Sequence, residues 1–302
     1  MTLPTASRTH PHIDPVEEIV SVERIKQKTR TRRLRSVQAL AERMQVAPDG
    51  ARTFIRFSRA QCLEHQILMV TFTTLTVTGL LQRYSEFGPV RLLIGIFGNI
   101  DTLRTIHHLA AAVMILQSIY HVEQILATWF VKRERGGMWP QLRDFRDLVQ
   151  MVMFNLGLTK ERPEFDRFSI EEKLEYWAML WGTPVMIITG LIMWFPLIIT
   201  KMLPGDVVPI SRAIHGWEAI LATLAILTWH MYHTAIKEKN RSVFDGTMTE
   251  EEMQHAHPRE YRRILAAHEY LEKMRAGNSP TRSGNVTPKV DYETVQDPGQ
   301  AN

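Results

Sequence analysis

RAIHGWEAILATLAILTWHMYHT, residues 212–234, decides the reading of this chain. It is a long apolar run with a histidine near each end. His215 and His230 are 15 residues apart, which on an α-helix is about four turns, or roughly 22 Å along the axis. The two rings therefore fall near one face at two depths, as candidate ligands for two metal-centred groups. The plain alternative is a buried helix with two satisfied core histidines, since imidazole is also an ordinary pocket residue.

Working outward, three more apolar blocks appear. HQILMVTFTTLTVTGLLQ, between Glu64 and Arg83, has no Asp, Glu, Lys or Arg over 18 residues. It is long enough, with its flanks, to span a bilayer as span one, 62–83. Its threonines can bond back to helix carbonyls, and His65 sits in its first turn. Residues 84–102, with Gly88-Pro89, are too short and too glycine-interrupted to cross and read as an interfacial segment. Span two, 103–131, carries His107, His108 and His121. His107 and His121 are 14 residues apart, again about four turns. Residues 132–172 are polar and basic, and span three follows at 174–200 with Pro184 as a possible kink. Span four is 211–237.

The mean hydropathy of −0.15 hides this pattern, because apolar blocks alternate with charged ones. The sequence therefore predicts an all-α fold: a transmembrane four-helix bundle over 61–237, with a basic N-terminal extension, 1–60, and a C-terminal extension, 238–302. Thr249 and Glu252 form a capping box that opens a charged helix running to about Met274, ahead of a disordered tail. Residues 1–60 hold no apolar core of the length a secretory signal needs.

Positive charge sets the orientation. Residues 24–59 hold eleven Lys and Arg and residues 132–172 hold eight, whereas 84–102 and 201–210 hold one each. Both termini and the middle loop are thus placed on the cytoplasmic side. His107 and His215 then lie at the outer end of their helices, and His65, His121 and His230 toward the inner end. Histidines at lipid depth are costly unless they face a site, so two matched levels point to two hemes. The lone cysteine, Cys62, excludes CxxC and CxxCH patterns, and any heme is held non-covalently as heme b. The basic run KQKTRTRRLR at 26–35 has no interleaved aromatic platform. It fits a positive-inside flank better than a nucleic-acid surface.

RTIHHLA opening span two, EEKLEYWAMLWGTPVMIITGLIMWFP across span three, and IHGWEAILATLAILTWHMYH in span four resemble one family. It is the gamma, cytochrome b subunit of respiratory formate dehydrogenases, with its relatives in membrane-bound hydrogenases. GTMTEEEMQHAHPREYRRI also resembles the segment after the last span. The resemblance covers about 54–265 and implies four transmembrane helices, two b hemes, and electron exchange with a quinone near the inner heme. By position it implies that His107 and His215 hold the outer heme and His65 and His230 the inner one. Two departures stand out. The span-four histidines are 15 apart here against 14 in the family, a rotation of about 100° that calls for a local bulge or a tilted heme. His121 is additional, and the 107/121 and 215/230 pairs are similar to the spacing in cytochrome b of quinol–cytochrome c oxidoreductases. The inner heme is therefore assigned to His230 with His65 or His121.

Arg104 and Arg212, each three residues before an outer histidine, are candidates for heme propionates or for interfacial anchors. The family's quinone pocket uses the loop before span three, which places Ser169 and Glu172 as candidates here, and Glu172 or His121 as carriers of quinone protons. His108 reads as structural, the tryptophans as packing or belt residues, and His255 and His257 as solvated side chains on a charged helix. No molybdenum, nickel or iron–sulfur motif is present. The first reading is an electron-transfer subunit between the quinone pool and an iron–sulfur or multiheme c-type partner on the outer face. The alternatives are a self-contained bc-type quinol oxidoreductase and a heme-free membrane scaffold.

Overall fold

The computed structural model describes residue 31 and residues 33–131, 137–237 and 241–277. The expectations for the N-terminal arm before residue 31 and for the tail after residue 277 lie outside the described residues. The chain divides into two compact units. One is residues 43–262. The other joins the residues up to Glu42, helical over 33–41, to those from Arg263 onward, where Lys273 pairs with Glu269 at 2.6 Å along the last helix.

The element order is β1 (Met44–Val46), β2 (Arg52–Ile55), α1 (Arg59–Arg83), α2 (Gly88–Ile96), α3 (Ile100–Leu126), α4 (Leu142–Asn155), α5 (Ile170–Trp194), α6 (Val207–Ala225), β3 (Thr247–Thr249), α7 (Glu250–Ala256) and α8 (Pro258–Arg275). α1, α3 and α5 each start where the sequence provides a cap, whereas Asp206 before α6 makes no side-chain capping bond. Ser58 with Gln61 and Ser169 with Glu172 form reciprocal capping boxes, and Asn99 accepts from the Thr102 N–H. α5 runs unbroken through Pro184. α3 continues into a π-helical turn, Ala127–Val131, and α6 into two, Ile226–His230 and Tyr232–Lys237. α1 packs on α3, α5 on α6, α1 also meets α6, and α3 also meets α5.

Among the described residues, three helices are long and apolar enough to cross a membrane: Ile100–Phe130, Ile170–Trp194 and Val207–Lys237. Their apolar side chains face outward, among them Leu109, Leu116, Trp181, Trp217 and Leu221. Such an exterior is a lipid-facing one, because water tolerates only small apolar patches. α1 is a helix of 25 residues, but it is not among those three. Its threonines dilute its apolar character, and they are satisfied within the helix: Thr71, Thr74 and Thr78 donate to the carbonyls of Ile67, Val70 and Thr74 at 2.8, 2.8 and 2.6 Å.

Two features depart from the all-α expectation and from the polar, basic loop expected over 132–172. β1, β2 and β3 form an antiparallel sheet in which Phe54 faces Met44 on one side and Met248 on the other. This sheet joins the entry to α1 with the exit from α6. The loop after α3 carries α4, whose polarity is inverted. Asp144 and Asp147 are buried, whereas Leu142, Phe145, Val149 and Val152 are exposed. Asp144 is clamped by Lys173 at 2.7 Å, and both side chains are nearly dry.

The base of α5 is also held by Arg56, buried just after β2. It pairs with Glu172 at 2.7 Å and donates to the Arg167 carbonyl. His257 belongs to the same cluster. It is 2 % exposed and donates from Nδ1 to the Asp166 carbonyl at 2.9 Å, so it is not the solvated side chain expected. The charged helix breaks there, between α7 and α8, at His257-Pro258. His255 is exposed. Burial, reinforced by the Arg56 charge, pushes the His257 imidazole from 6.5 down to about 4.

A histidine neutral when folded and free to take a proton when unfolded adds stability that is complete above the unfolded pKa and lost as pH falls through the window to the folded pKa. The thermal midpoint of this cap is expected to fall as pH drops from 6.5 toward 4, and His257→Gln to flatten that slope. Unfolding midpoints of the two proteins across the window, followed by circular dichroism, check this.

Candidate functional site

The interior of the bundle is built from histidine pairs. His107 on α3 faces His215 on α6 with ring centroids 6.4 Å apart. Near the other end of these helices, His65 on α1 faces His230, in the π-turn after α6, at 6.2 Å. With about 2 Å per metal–imidazole bond and about 1.2 Å from ring centre to ligating nitrogen, two axial imidazoles across one metal place their ring centres about 6.4 Å apart. Both pairs have that separation.

The hydrogen bonds at Nδ1 decide which nitrogen is free. His107 Nδ1 lies 2.9 Å from Thr78 Oγ1, and His215 Nδ1 lies 2.9 Å from Thr189 Oγ1. Each hydroxyl already donates to a carbonyl of its own helix, Thr74 or Val185, at 2.6 Å. It must therefore accept the imidazole N–H. That fixes the tautomer as Nδ1–H and leaves the Nε2 lone pair for a ligand. His230 likewise gives its Nδ1–H to Glu175 Oε2 at 2.7 Å. His65 Nδ1 is buried without a hydrogen-bond partner among the described residues.

Glycine next to each threonine makes the close approach possible. A Cβ at Gly79 would stand 3.1 Å from His107 Cε1, and one at Gly190 would stand 3.3 Å from His215 Cε1. The same Thr-Gly-Leu triplet, 78–80 and 189–191, thus buttresses the His107 and His215 rings. The one-residue surplus between His215 and His230 coincides with the π-turn Ile226–His230. A π-turn holds one more residue than an α-turn, so His230 is turned back toward His65.

His121 is engaged elsewhere. Its Nδ1 lies 2.9 Å from Glu64 Oε2, and its Nε2 lies 3.2 Å from the Tyr176 hydroxyl. Arg104 pairs with Asp101 at 2.8 Å on the exposed start of α3, and Arg212 is exposed. The cation beside the His107–His215 pair is instead Arg83. It lies over the Trp217 ring at 5.3 Å and packs so closely on Gly216 that a Cβ there would collide with it. Ser169 and Glu172 serve each other's backbone in the α5 capping box, and Glu172 is further bound to Arg56. His108 stacks on Trp194 at 4.0 Å. No group of three or more His, Cys, Asp or Glu fit for a protein-only metal site occurs among the described residues.

Sequence reading passed over Thr78, Gly79, Thr189, Gly190, Glu64, Glu175, Tyr176 and Arg83. A signal for most of them was present. Glu64-His65 and Glu175-Tyr176 each stand 13 residues before a Thr-Gly pair, an internal repeat of the two helical hairpins.

The family model for prokaryotic cytochrome b561 matches residues 56–244. The cytochrome b556(Fdn) subunit of the nitrate-inducible formate dehydrogenase of Escherichia coli (strain K12) is 27 % identical over 129 residues, 42 % of this chain and 58 % of the relative. The cytochrome b556(fdo) subunit of formate dehydrogenase of the same organism is 21 % identical over 216 residues, 70 % of this chain and 93 % of the relative. The first of these alignments thus spans under two thirds of its relative's length. Paired imidazoles in an apolar helical bundle, together with a family match over most of the chain, lead to one conclusion: the chain belongs to the prokaryotic cytochrome b561 family, as a multi-pass membrane cytochrome b of electron transfer.

Proposed function

We propose that this chain is a di-heme subunit that carries electrons across the membrane between the quinone pool and a partner redox subunit. The observation that carries the reading is the pair of imidazole pairs, each with the separation of two axial ligands and each at its own depth. On this reading α1, α3, α5 and α6 form a transmembrane four-helix bundle. His107 and His215 hold the outer heme, and His65 and His230 the inner one. A heme with two neutral imidazole ligands supplies a one-electron couple whose potential the axial ligands and their surroundings set.

The chain's own residues do the rest. Thr78 and Thr189 orient the outer rings without adding charge. Glu175 places a carboxylate on the far side of His230 and makes that ring the stronger donor. Arg83, packed on Gly216 beside His215, is the cation that would meet a heme propionate there. The excess of Lys and Arg in 24–59 and 132–172 supports cytoplasmic termini. Similarity to formate dehydrogenase cytochrome subunits supports a catalytic partner; the proposed link to it is an iron–sulfur or multiheme c-type subunit on the outer face.

The purified chain is expected to give two b hemes by pyridine hemochrome. His215→Ala should remove one and leave the other, and loss of both or of neither would overturn the two-level assignment. Gly79→Val, which crowds the His107 ring, should likewise deplete the outer heme in the reduced-minus-oxidised spectrum. Glu175→Gln should raise the midpoint potential of the inner heme, on the order of tens of millivolts, by weakening the donor character of His230. A redox titration followed in the visible spectrum reads this directly.

A further inference from the structure

The two helical hairpins, α1–α3 and α5–α6, correspond element by element, and the correspondence exposes a second inner site. On α1, Glu64 and His65 are neighbours, and on α5, Glu175 and Tyr176 are. Glu175 takes the Nδ1–H of His230, and Glu64 takes that of His121. His65 faces His230, and Tyr176 faces His121 with ring centroids 5.9 Å apart. Because each helix gives adjacent residues to the two trios, both lie at the same depth. The correspondence returns the outer pair to itself, but it turns the inner pair into His121 and Tyr176.

This second trio is not a metal site. The phenol oxygen is 3.2 Å from His121 Nε2, within hydrogen-bond reach, whereas two ligands on opposite sides of one metal would stand about 4 Å apart, and no cluster of three or more His, Cys, Asp or Glu completes a metal site among the described residues. It is a donor–acceptor pair. With Nδ1–H committed to Glu64, Nε2 accepts and the Tyr176 hydroxyl donates. The pair opens outward, the His121 side chain being 39 % exposed. Gln117, one turn before His121, donates to the Glu64 carbonyl at 2.7 Å, and its own Oε1 is buried without a partner among the described residues.

We propose that His121 and Tyr176 bind a quinone headgroup, a proposal that rests on the quinone-linked reading above. A quinol hydroxyl donates to Nε2, or a quinone carbonyl accepts from the phenol, so one pair of side chains accommodates both redox forms. Entry is from the lipid side, the phase in which such a ligand is dissolved. The headgroup then lies beside the inner imidazole pair at its own depth. Ser169 and Glu172, committed to the α5 cap, are not needed for it.

The test titrates the purified full chain with an alkyl-hydroxyquinoline N-oxide, a fluorescent quinol analogue, and follows quenching alongside heme content. The native chain should bind one analogue. Tyr176→Phe, which deletes a single hydroxyl, should weaken binding about five- to ten-fold, the value of one neutral hydrogen bond, with both hemes retained. His121→Gln should do the same or more. Unchanged binding in both variants overturns the site while leaving the quinone-linked reading standing. So does loss of the inner heme in either variant, which would make the trio a support for His230. A native chain that holds two hemes but binds no analogue overturns the quinone-linked reading, and the site with it.

Discussion

An imidazole whose Nδ1–H is already given away can act only through Nε2, and the bundle interior is arranged around that constraint. At the outer level the commitment is made by threonine. A threonine in a helix satisfies its own O–H against a carbonyl one turn back, as Thr78 does with Thr74 and Thr189 with Val185. What remains on the oxygen is a lone pair, and a neutral histidine on the neighbouring helix is the group that fills it. Two polar side chains that would each be costly in an apolar interior are thereby satisfied together. The two facing rings are left with Nε2 uncommitted.

The same logic uses a charge at the inner level, where Glu64 and Glu175 replace the threonines. A carboxylate in an apolar bundle is tolerated only with a partner, and here each has an imidazole N–H. The two hairpins therefore repeat one plan: a carboxylate in the second turn of the first helix, a Thr-Gly pair about four turns further on, and histidines at two levels of the second helix. The plan is broken at one position, where α5 offers Tyr176 in the place that α1 fills with His65. That substitution distinguishes an imidazole pair on one side of the bundle from a hydrogen-bonded phenol on the other.

Much of this was legible in the sequence, for physical reasons that differ by element. The apolar runs after Thr102, Glu175 and Ser211 declare their helices by length alone, and histidine spacing declares the two depths. The one-residue surplus before His230 signalled a bulge, and a π-turn lies there. The sheet was not legible, because its strands have three or four residues and pair across most of the chain, Thr53 with Thr249. Helix α4 was hidden by its polarity: its aspartates suggest a solvated loop, yet Asp144 and Asp147 lie on its buried face with Met151. Arg104 and Arg212 drew attention by proximity in sequence. Arg83 reaches the outer pair from a helix that the histidine spacing did not connect to it.

The cap outside the bundle has a consequence for the site inside it. Glu172 and Lys173 open α5, one bound to Arg56 behind β2 and the other to Asp144 of α4. Glu175 and Tyr176 follow within one turn. A buried ion pair is costly to break, because removing one partner strands the other charge, so the register of α5 at its base is strongly held. A rotation of one residue, about 100°, would take Glu175 from His230 and Tyr176 from His121 together. The ion pairs of the cap thus fix the orientation of both inner trios, although none of their members lies in either.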